Sequence, residues 1–158
     1  ITAMVELFKE YDYRLQKIEK QYTNDPDDPV ILEEYCDFLK EYLSQGFMEK
    51  QMEQIYRNQY TQLLLKQLEQ KVNLHTCVCL MENLMVQRDF FLAEKILKIM
   101  DQNWHRGEEY WIWKIRYLAE RKMGKELKQS LQALKEEHIY LSSRGKEALG
   151  FWLDGSKK

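Results

Sequence analysis

Apolar residues recur at steps of three and four positions along most of this chain, the spacing that places side chains on one face of an α-helix. In the first segment Val5, Phe8 and Leu15 follow this spacing. No stretch shows the strict alternation of a half-buried strand. We predict seven or eight helices. Their ranges are Thr2–Tyr22, Pro29–Ser44, Phe47–Lys71, Asn73–Gln87, Asp89–Asn103, Glu108–Met123, Lys125–His138 and Ser142 or Ser143 to Leu153.

The turns between these helices carry residues that start or stop a helix. Asp28 can act as an N-cap, and Pro29 suits the first helical position. Asn73 is the corresponding N-cap of the fourth helix. Gly46 and Gly124 are expected to end the second and sixth helices. Connections this short place consecutive helices side by side in antiparallel pairs.

Two of the helices depart from the ordinary amphipathic pattern. The third would span roughly 24 residues and ~36 Å at 1.5 Å per residue, so it is either unusually long or kinked near residues 58–61. The fourth is apolar on most sides, with Cys77, Leu80 and Met81 among its residues. A helix of that composition is typically packed between neighbours, so we expect it at the centre of the molecule.

The composition agrees with a helical protein. Of the 158 residues 44% are hydrophobic, while there are only 6 glycines and 2 prolines, which favours long helices over many tight turns. No apolar run approaches the ~18 residues of a membrane span, and the charged first ten residues do not resemble a signal peptide. We expect one α-helical repeat domain over residues 1–158, cut from a larger protein because the sequence begins at Ile1.

Three segments look like copies of one unit, in which an aromatic or apolar helix follows a turn. They cover residues 28–39, 74–86 and 108–118. With Val30, Leu74 and Trp111 as matching positions, the offsets are about 44 and about 37 residues, near the range of helical-hairpin solenoids. Stacked hairpins of this kind usually form surfaces that hold other macromolecules.

Two sets of positions recur in these helix pairs. The first set, on leading helices, is Tyr35, Phe38, Leu39, Trp111, Ile115 and Leu118. The second set, on a following helix, is Phe91, Ala93, Ile96 and Leu97. In both respects the pairs resemble half-a-TPR (HAT) and tetratricopeptide repeats, over roughly residues 28–140. The resemblance implies an all-α fold of antiparallel hairpins stacked as a short solenoid.

The same resemblance carries expectations about function. It implies a non-enzymatic scaffold that binds a protein subunit or peptide within a larger complex. HAT proteins belong mostly to RNA-processing machines, including those of ribosome biogenesis, splicing and mRNA 3′-end formation. By this analogy alone we expect an intracellular protein, with the nucleus favoured over the cytoplasm.

The residue types that carry chemistry are few. His75, His105 and His138 are the only histidines, and none has a metal-ligand or catalytic spacing. There is no phosphate-binding glycine-rich loop and no nucleophile motif. Cys77 and Cys79 point roughly 200° apart on a helix, so they do not share a metal ion. We therefore expect no catalytic residue, no metal and no cofactor. An odd number of cysteines (three) favours a reducing compartment.

Four residues are the candidates for partner binding. Trp113 and Arg116 lie in an aromatic and basic cluster on the sixth helix, where they could grip an acidic peptide or stack on a base. Tyr56 and Tyr60 lie on the long third helix, where excess apolar surface could meet a partner. The alternative for both pairs is packing inside the domain.

Two other functions remain open at this point. Direct RNA binding would use a basic set near the C-terminus, consisting of Arg116, Arg121, Lys122, Lys125 and Lys128. The net charge of −2 argues against it, since nucleic-acid binding usually shows a basic footprint. Homodimerisation through an exposed end of the solenoid is the other alternative.

Overall fold

The computed structural model describes residues 2–155, and over that range the chain is helical with no strand. The helices are α1 Thr2–Asn24, α2 Pro29–Ser44, α3 Lys50–Gln70, α4 Leu74–Gln87, α5 Phe90–Trp104, α6 Glu108–Glu120, α7 Gly124–Glu136 and α8 Ser143–Gly155. The predicted all-α class is confirmed, and eight helices lie within the described range.

The chain divides into two compact units. Unit 1 is Ile1–Thr76, which contains α1 to α3 and the start of α4. Unit 2 is Cys77–Lys158, which contains the rest of α4 and α5 to α8. The prediction of a single repeat domain taken from a longer protein stays a prediction.

In unit 1 the helices pack in chain order, α1 on α2 and α2 on α3. Tyrosines form much of the packing between them: the rings of Tyr11 and Tyr42 stack with centroids 5.1 Å apart, and Tyr22 meets Tyr35 edge-on at 5.4 Å. Burial raises the pKa of Tyr35 to about 12. From α3, Lys66 Nζ donates to the Tyr22 hydroxyl at 3.1 Å. These interactions join the three helices of unit 1.

In unit 2 the packing centres on α6, which contacts α5, α7 and α8. Trp111, Ile112 and Ile115 of α6 are each at most 1% exposed. Chain neighbours pack on each other in both units, and α8 in addition returns to α6 in unit 2. This arrangement is consistent with the predicted short helical solenoid.

Side-chain caps start three of the helices. Asp28 Oδ1 accepts from the Val30 amide at 2.8 Å at the start of α2, and Asn73 Oδ1 accepts from the Thr76 amide at 3.3 Å at the start of α4. Both caps were predicted from the sequence. Asp89, expected as the first residue of its helix, instead caps α5 from outside it.

The way that helices end was predicted less well. Gly46 has φ 72° and follows α2 as expected, but Gly124 does not stop α6, because it is the first residue of α7. The left-handed residue after α6 is Lys122, with φ 56°. The Met123 amide donates to the Leu118 carbonyl and the Lys122 amide to the Ala119 carbonyl, both at 3.0 Å. This pair of hydrogen bonds defines a Schellman motif.

The same motif recurs at two more positions in unit 2. Within the described range three non-glycine residues have positive φ, and the other two are Arg88 and His138. After Arg88, the Asp89 amide donates to the Leu84 carbonyl. After His138, the Ile139 amide donates to the Leu134 carbonyl. Glycine does not mark these helix ends in the sequence, because the hydrogen bonds of the motif offset the cost of the left-handed conformation in other residues.

The two unusual helices have different outcomes. The α3 helix begins at Lys50, later than the predicted Phe47, and its 21 residues run uninterrupted through residues 58–61. Of the two alternatives, the long helix is therefore the one observed. In α4, Leu80, Met81 and Leu84 are fully buried, as expected of a helix that is apolar nearly all round.

Candidate functional site

The most site-like feature of unit 2 is a groove between α5 and α6, with a volume of about 360 Å³. Glu94, Lys98 and Asp101 lie along its α5 wall. These residues are four and three positions apart, so they form one stripe along that helix. Leu97 and Leu118 contribute apolar surface between the walls. A concave site with apolar surface and a few polar groups is the usual form of a ligand-binding groove.

The α6 wall alternates tyrosines with cations. Tyr110, Lys114, Tyr117 and Arg121 are spaced by four, three and four residues, so one face of α6 presents all four side chains to the groove. Lys114 Nζ lies 5.4 Å from the ring centroid of Tyr110, and the Arg121 guanidinium lies 5.8 Å from that of Tyr117. Such cation–π contacts hold the charges at the aromatic wall.

Side-chain contacts establish the register of the two antiparallel helices. The Tyr117 hydroxyl donates to Glu94 Oε2 at 3.5 Å across the groove. One turn along each helix in opposite directions, Lys98 on α5 comes opposite Lys114 on α6. The groove therefore has two lysines facing each other near its middle.

Within the part of the chain that the structure describes, the cations of the groove lack an anionic partner. Among residues 2–155, Lys98, Lys114 and Arg121 have no carboxylate oxygen within 4.0 Å of their nitrogens. The two groove carboxylates are already engaged, Glu94 by Tyr117 and Asp101 by His105. The groove therefore presents positive charge at its centre and at one end.

His105 contacts Asp101 and Tyr110 at the other end of the groove. Its Nδ1 contacts Asp101 Oδ1, and its Nε2 lies 2.7 Å from Glu137 Oε1. Hydrogen bonds to Glu137 and then to Asp101 raise the pKa of His105 above its usual 6.5. The His105 carbonyl accepts from Trp111 Nε1 at 2.7 Å. This network joins the end of α5 to α6 and to the residue that follows α7.

The two residues predicted on α6 to bind a partner, Trp113 and Arg116, are not fully exposed on the surface. Trp113 is 7% exposed, and the Arg116 guanidinium lies over its ring at 5.0 Å. Within the described range the Trp113 indole N–H is buried and has no acceptor. Trp113 therefore agrees with the alternative interpretation of the sequence, in which its side chain packs inside the domain. Neither residue lines the α5–α6 groove.

The predicted residues of α3 belong to unit 1. Tyr60 is buried, with 4% exposed, and Tyr56 is half-buried. Burial raises the pKa of Tyr56, with a smaller contribution from the charge of Glu19 on α1. Their apolar neighbours Met52 and Ile55 are exposed. Tyr60 thus agrees with packing inside the domain, whereas Met52 and Ile55 form exposed apolar surface on α3.

The proposed RNA-binding set divides in two. Arg121, Lys122, Lys125 and Lys128 are exposed at the end of α6, the following turn and the first half of α7. Arg116 lies apart from them, half-buried over Trp113. Only Arg121 also lines the groove.

The groove shows what sequence reasoning missed. Tyr110, Lys114 and Tyr117 share one helical face, a signal that the spacing on α6 already contained. The facing stripe on α5 could not be assigned, because its position depends on how the two helices pack.

The thiol of Cys77 in unit 2 is not an activated nucleophile. Burial raises the pKa of the Cys77 thiol to about 11, which keeps it protonated and a poor nucleophile. In residues 2–155 no group of three or more histidine, cysteine or acidic side chains is arranged to hold a metal ion. In the same range no helix combines the length and apolar character that crossing a membrane requires.

Comparison with protein-family models, with curated proteins and with solved structures found no match to this chain. The HAT and tetratricopeptide resemblance therefore rests on the spacing of the residues that carry it.

Proposed function

We propose that this protein is a non-enzymatic interaction scaffold that binds a segment of another protein in the α5–α6 groove. One observation carries the proposal: Lys98, Lys114 and Arg121 line an open groove with one aromatic wall, and none of the three has a carboxylate partner within residues 2–155. Grooves in which aromatic side chains supply contact area and cations supply specificity are well suited to peptide recognition.

The fold supports this function in general terms. Helices that pack in chain order present long surfaces, and repeat proteins of this kind bind other macromolecules. The HAT and tetratricopeptide resemblance extends the proposal to a subunit of a multi-protein complex, with RNA-processing or ribosome-biogenesis machinery in the nucleus as the favoured setting. This extension rests on analogy.

Direct RNA binding is the second candidate. The specific observation that favours it is the exposure of Lys122, Lys125 and Lys128 around the α6–α7 turn. Binding through these residues would be sequence-independent contact with phosphates and would weaken steeply with salt.

Affinity capture with matched charge reversals tests the proposal. The wild-type chain, Lys114→Glu in the groove and Lys128→Glu on α7 are each used to capture partners from nuclear and cytosolic extracts, with and without nuclease. We expect a defined protein partner that survives nuclease, is lost with Lys114→Glu and is kept with Lys128→Glu.

Two results would contradict the scaffold proposal. Capture that disappears with nuclease and with Lys128→Glu would assign the function to RNA binding. Capture of the same background proteins by all three chains would show that the groove holds no partner. Circular dichroism of each variant establishes that the exposed substitutions leave the helices intact.

A further inference from the structure

We propose that the α5–α6 groove selects an acidic peptide segment, with one carboxylate bound between Lys98 and Lys114 and a second bound by Arg121. The inference deepens the proposed function and rests on it, because it names the chemistry of the segment that the scaffold would hold. The bases for it are the register of the two helices, the charge of their facing side chains and the spacing of the cations.

The first step is the pair of like charges. The Tyr117–Glu94 contact places Lys98 opposite Lys114 across the groove, and neither ammonium has a carboxylate within 4.0 Å in residues 2–155. Like charges that face each other are unfavourable. A bound anion converts this repulsion into two favourable contacts.

The second step is that the groove cannot supply this anion itself. Glu94 and Asp101 flank Lys98 on its own helix, one turn before and one turn after it. Glu94 accepts from the Tyr117 hydroxyl, and Asp101 contacts His105. Both carboxylates have these partners, and neither lies within 4.0 Å of the Lys98 or Lys114 ammonium group in residues 2–155.

The third step is the kind of anion. Tyr110 and Tyr117 present rings on either side of Lys114, and Leu97 and Leu118 lie between the walls. These surfaces suit the methylene groups of an acidic side chain and the apolar residues beside it. A peptide meets both requirements, since it brings carboxylates and apolar side chains on one chain.

The fourth step is spacing. Lys114 and Arg121 are seven residues apart on one helical face, so their α-carbons are separated by roughly 10 Å along the axis. In an extended polyproline II segment, residues three apart lie on the same side and about 9.3 Å apart. The favoured ligand is therefore an extended segment with acidic residues at positions i and i+3 and apolar residues between them.

The test is a nuclear magnetic resonance titration of the ¹⁵N-labelled chain with a defined probe. The probe is the capped peptide Gly-Glu-Leu-Pro-Glu-Gly, and its control is the same peptide with glutamine at both glutamate positions. We expect saturable shifts of α5 and α6 amides that line the groove. We expect the glutamine peptide to bind at least about tenfold more weakly, since each charged hydrogen bond is lost.

Matched variants locate the charges that matter. Lys114→Gln and Arg121→Gln should each lower the affinity for the acidic peptide several-fold to about tenfold. The control is Lys95→Gln. Lys95 lies on the same helix as Lys98, but its ammonium lies over the Phe91 ring and it does not line the groove. This substitution should leave the affinity unchanged. All three substituted residues have side chains that reach solvent, and the amide spectrum of each variant reports directly on folding.

Several outcomes would overturn the inference. These are equal binding of the two peptides, shifts confined to residues outside the groove, and an unchanged affinity in Lys114→Gln. Stronger shifts of the groove amides by an oligouridine probe would assign the site to nucleic acid. If extract capture still yields a protein partner that depends on the groove while both peptides fail, only the acidic chemistry is refuted and the scaffold function stands.

Discussion

The carboxylate of Glu108 at the start of α6 occupies the space where a β-carbon on Gly145 of α8 would lie. Its Oε1 accepts from the Ser142 amide at 3.2 Å and from the Ser142 hydroxyl at 2.8 Å. The Ser142 hydroxyl in turn accepts from the Gly145 amide at 3.2 Å. A side chain at position 145 would therefore displace the Glu108 carboxylate from its hydrogen bonds to Ser142, which connect the start of α6 to the residue before α8.

Replacement of Gly145 by alanine should lower the free energy of unfolding by about 1–2 kcal/mol, since Glu108 must move and lose hydrogen bonds to Ser142. Urea denaturation measures the change. The matched control is Gly150→Ala on the same helix, where no atom lies within 4 Å of the new β-carbon. That variant should raise stability by up to about 1 kcal/mol, as alanine is the better helix former.

A double-mutant cycle isolates the cause of the Gly145 effect. In a Glu108→Ala background the carboxylate is absent, so Gly145→Ala should cost far less than in the wild type. An equal cost in both backgrounds would show that Glu108 is not the obstacle.

The left-handed residue after α6 gives a second prediction. Lys122→Gly should raise the free energy of unfolding by up to about 1 kcal/mol, because glycine adopts positive φ without steric cost. Lys128→Gly, at an exposed interior position of α7, should lower it by about 1 kcal/mol. Two lysine-to-glycine changes on one hairpin are thus expected to have opposite signs in thermal or urea unfolding. Equal losses at both sites would contradict the assigned conformation of Lys122.

His105 makes stability depend on pH. It faces Asp101 on α5, Glu137 after α7 and the Tyr110 and Trp111 rings on α6. Arg106 donates to the Glu137 carbonyl. The pKa of His105 is raised in the folded state, so its charged form stabilises the fold below pH 6.5. This contribution is lost as pH rises through the folded-state pKa. Partial exposure of the three side chains keeps the effect small.

Two measurements check this dependence. An NMR titration of the His105 ring should give a pKa above 6.5, and the free energy of unfolding should fall on going from pH 6 to pH 8. In His105→Gln that decline should be reduced. A rising stability over this range, or a ring pKa below the usual value, would refute the assigned ion pairs.

The two tryptophans of α6 provide a matched comparison. Trp111 Nε1 donates to the His105 carbonyl at 2.7 Å, whereas the buried Trp113 indole N–H has no acceptor within residues 2–155. Trp111→Phe removes a hydrogen bond and leaves a carbonyl unpaired, while Trp113→Phe removes an unpaired donor. The loss of stability should be larger for Trp111→Phe by about 1–2 kcal/mol. Equal losses would indicate that the Trp113 indole has a partner.

Most of the fold could be predicted from local sequence, because helices depend on interactions between residues three and four positions apart. The ranges of α2 and α4 were close to those observed, and Asp28 and Asn73 cap them as their side-chain chemistry implies. The end of α6 at Lys122 was not predicted. The left-handed conformation of Lys122 depends on two backbone hydrogen bonds, and no glycine in the sequence marks it.

The candidate site depends more on tertiary structure than the fold does. The sequence nominates Trp113 for an aromatic and basic cluster and Tyr60 for the apolar surface of the third helix, and both side chains are buried, since hydrophobic spacing alone does not tell which faces of a helix are covered. Arg121 is the one predicted residue that lines the α5–α6 groove.

Periodicity, capping residues and composition were enough to predict an all-helical chain and the order of its helices, because those properties arise between residues close in sequence. The groove is different. Lys98 and Lys114 face each other only because α5 and α6 pack in a particular register, which depends on side chains from both helices at once. Tertiary packing therefore decided which charges meet, which aromatic rings are buried and where the groove lies.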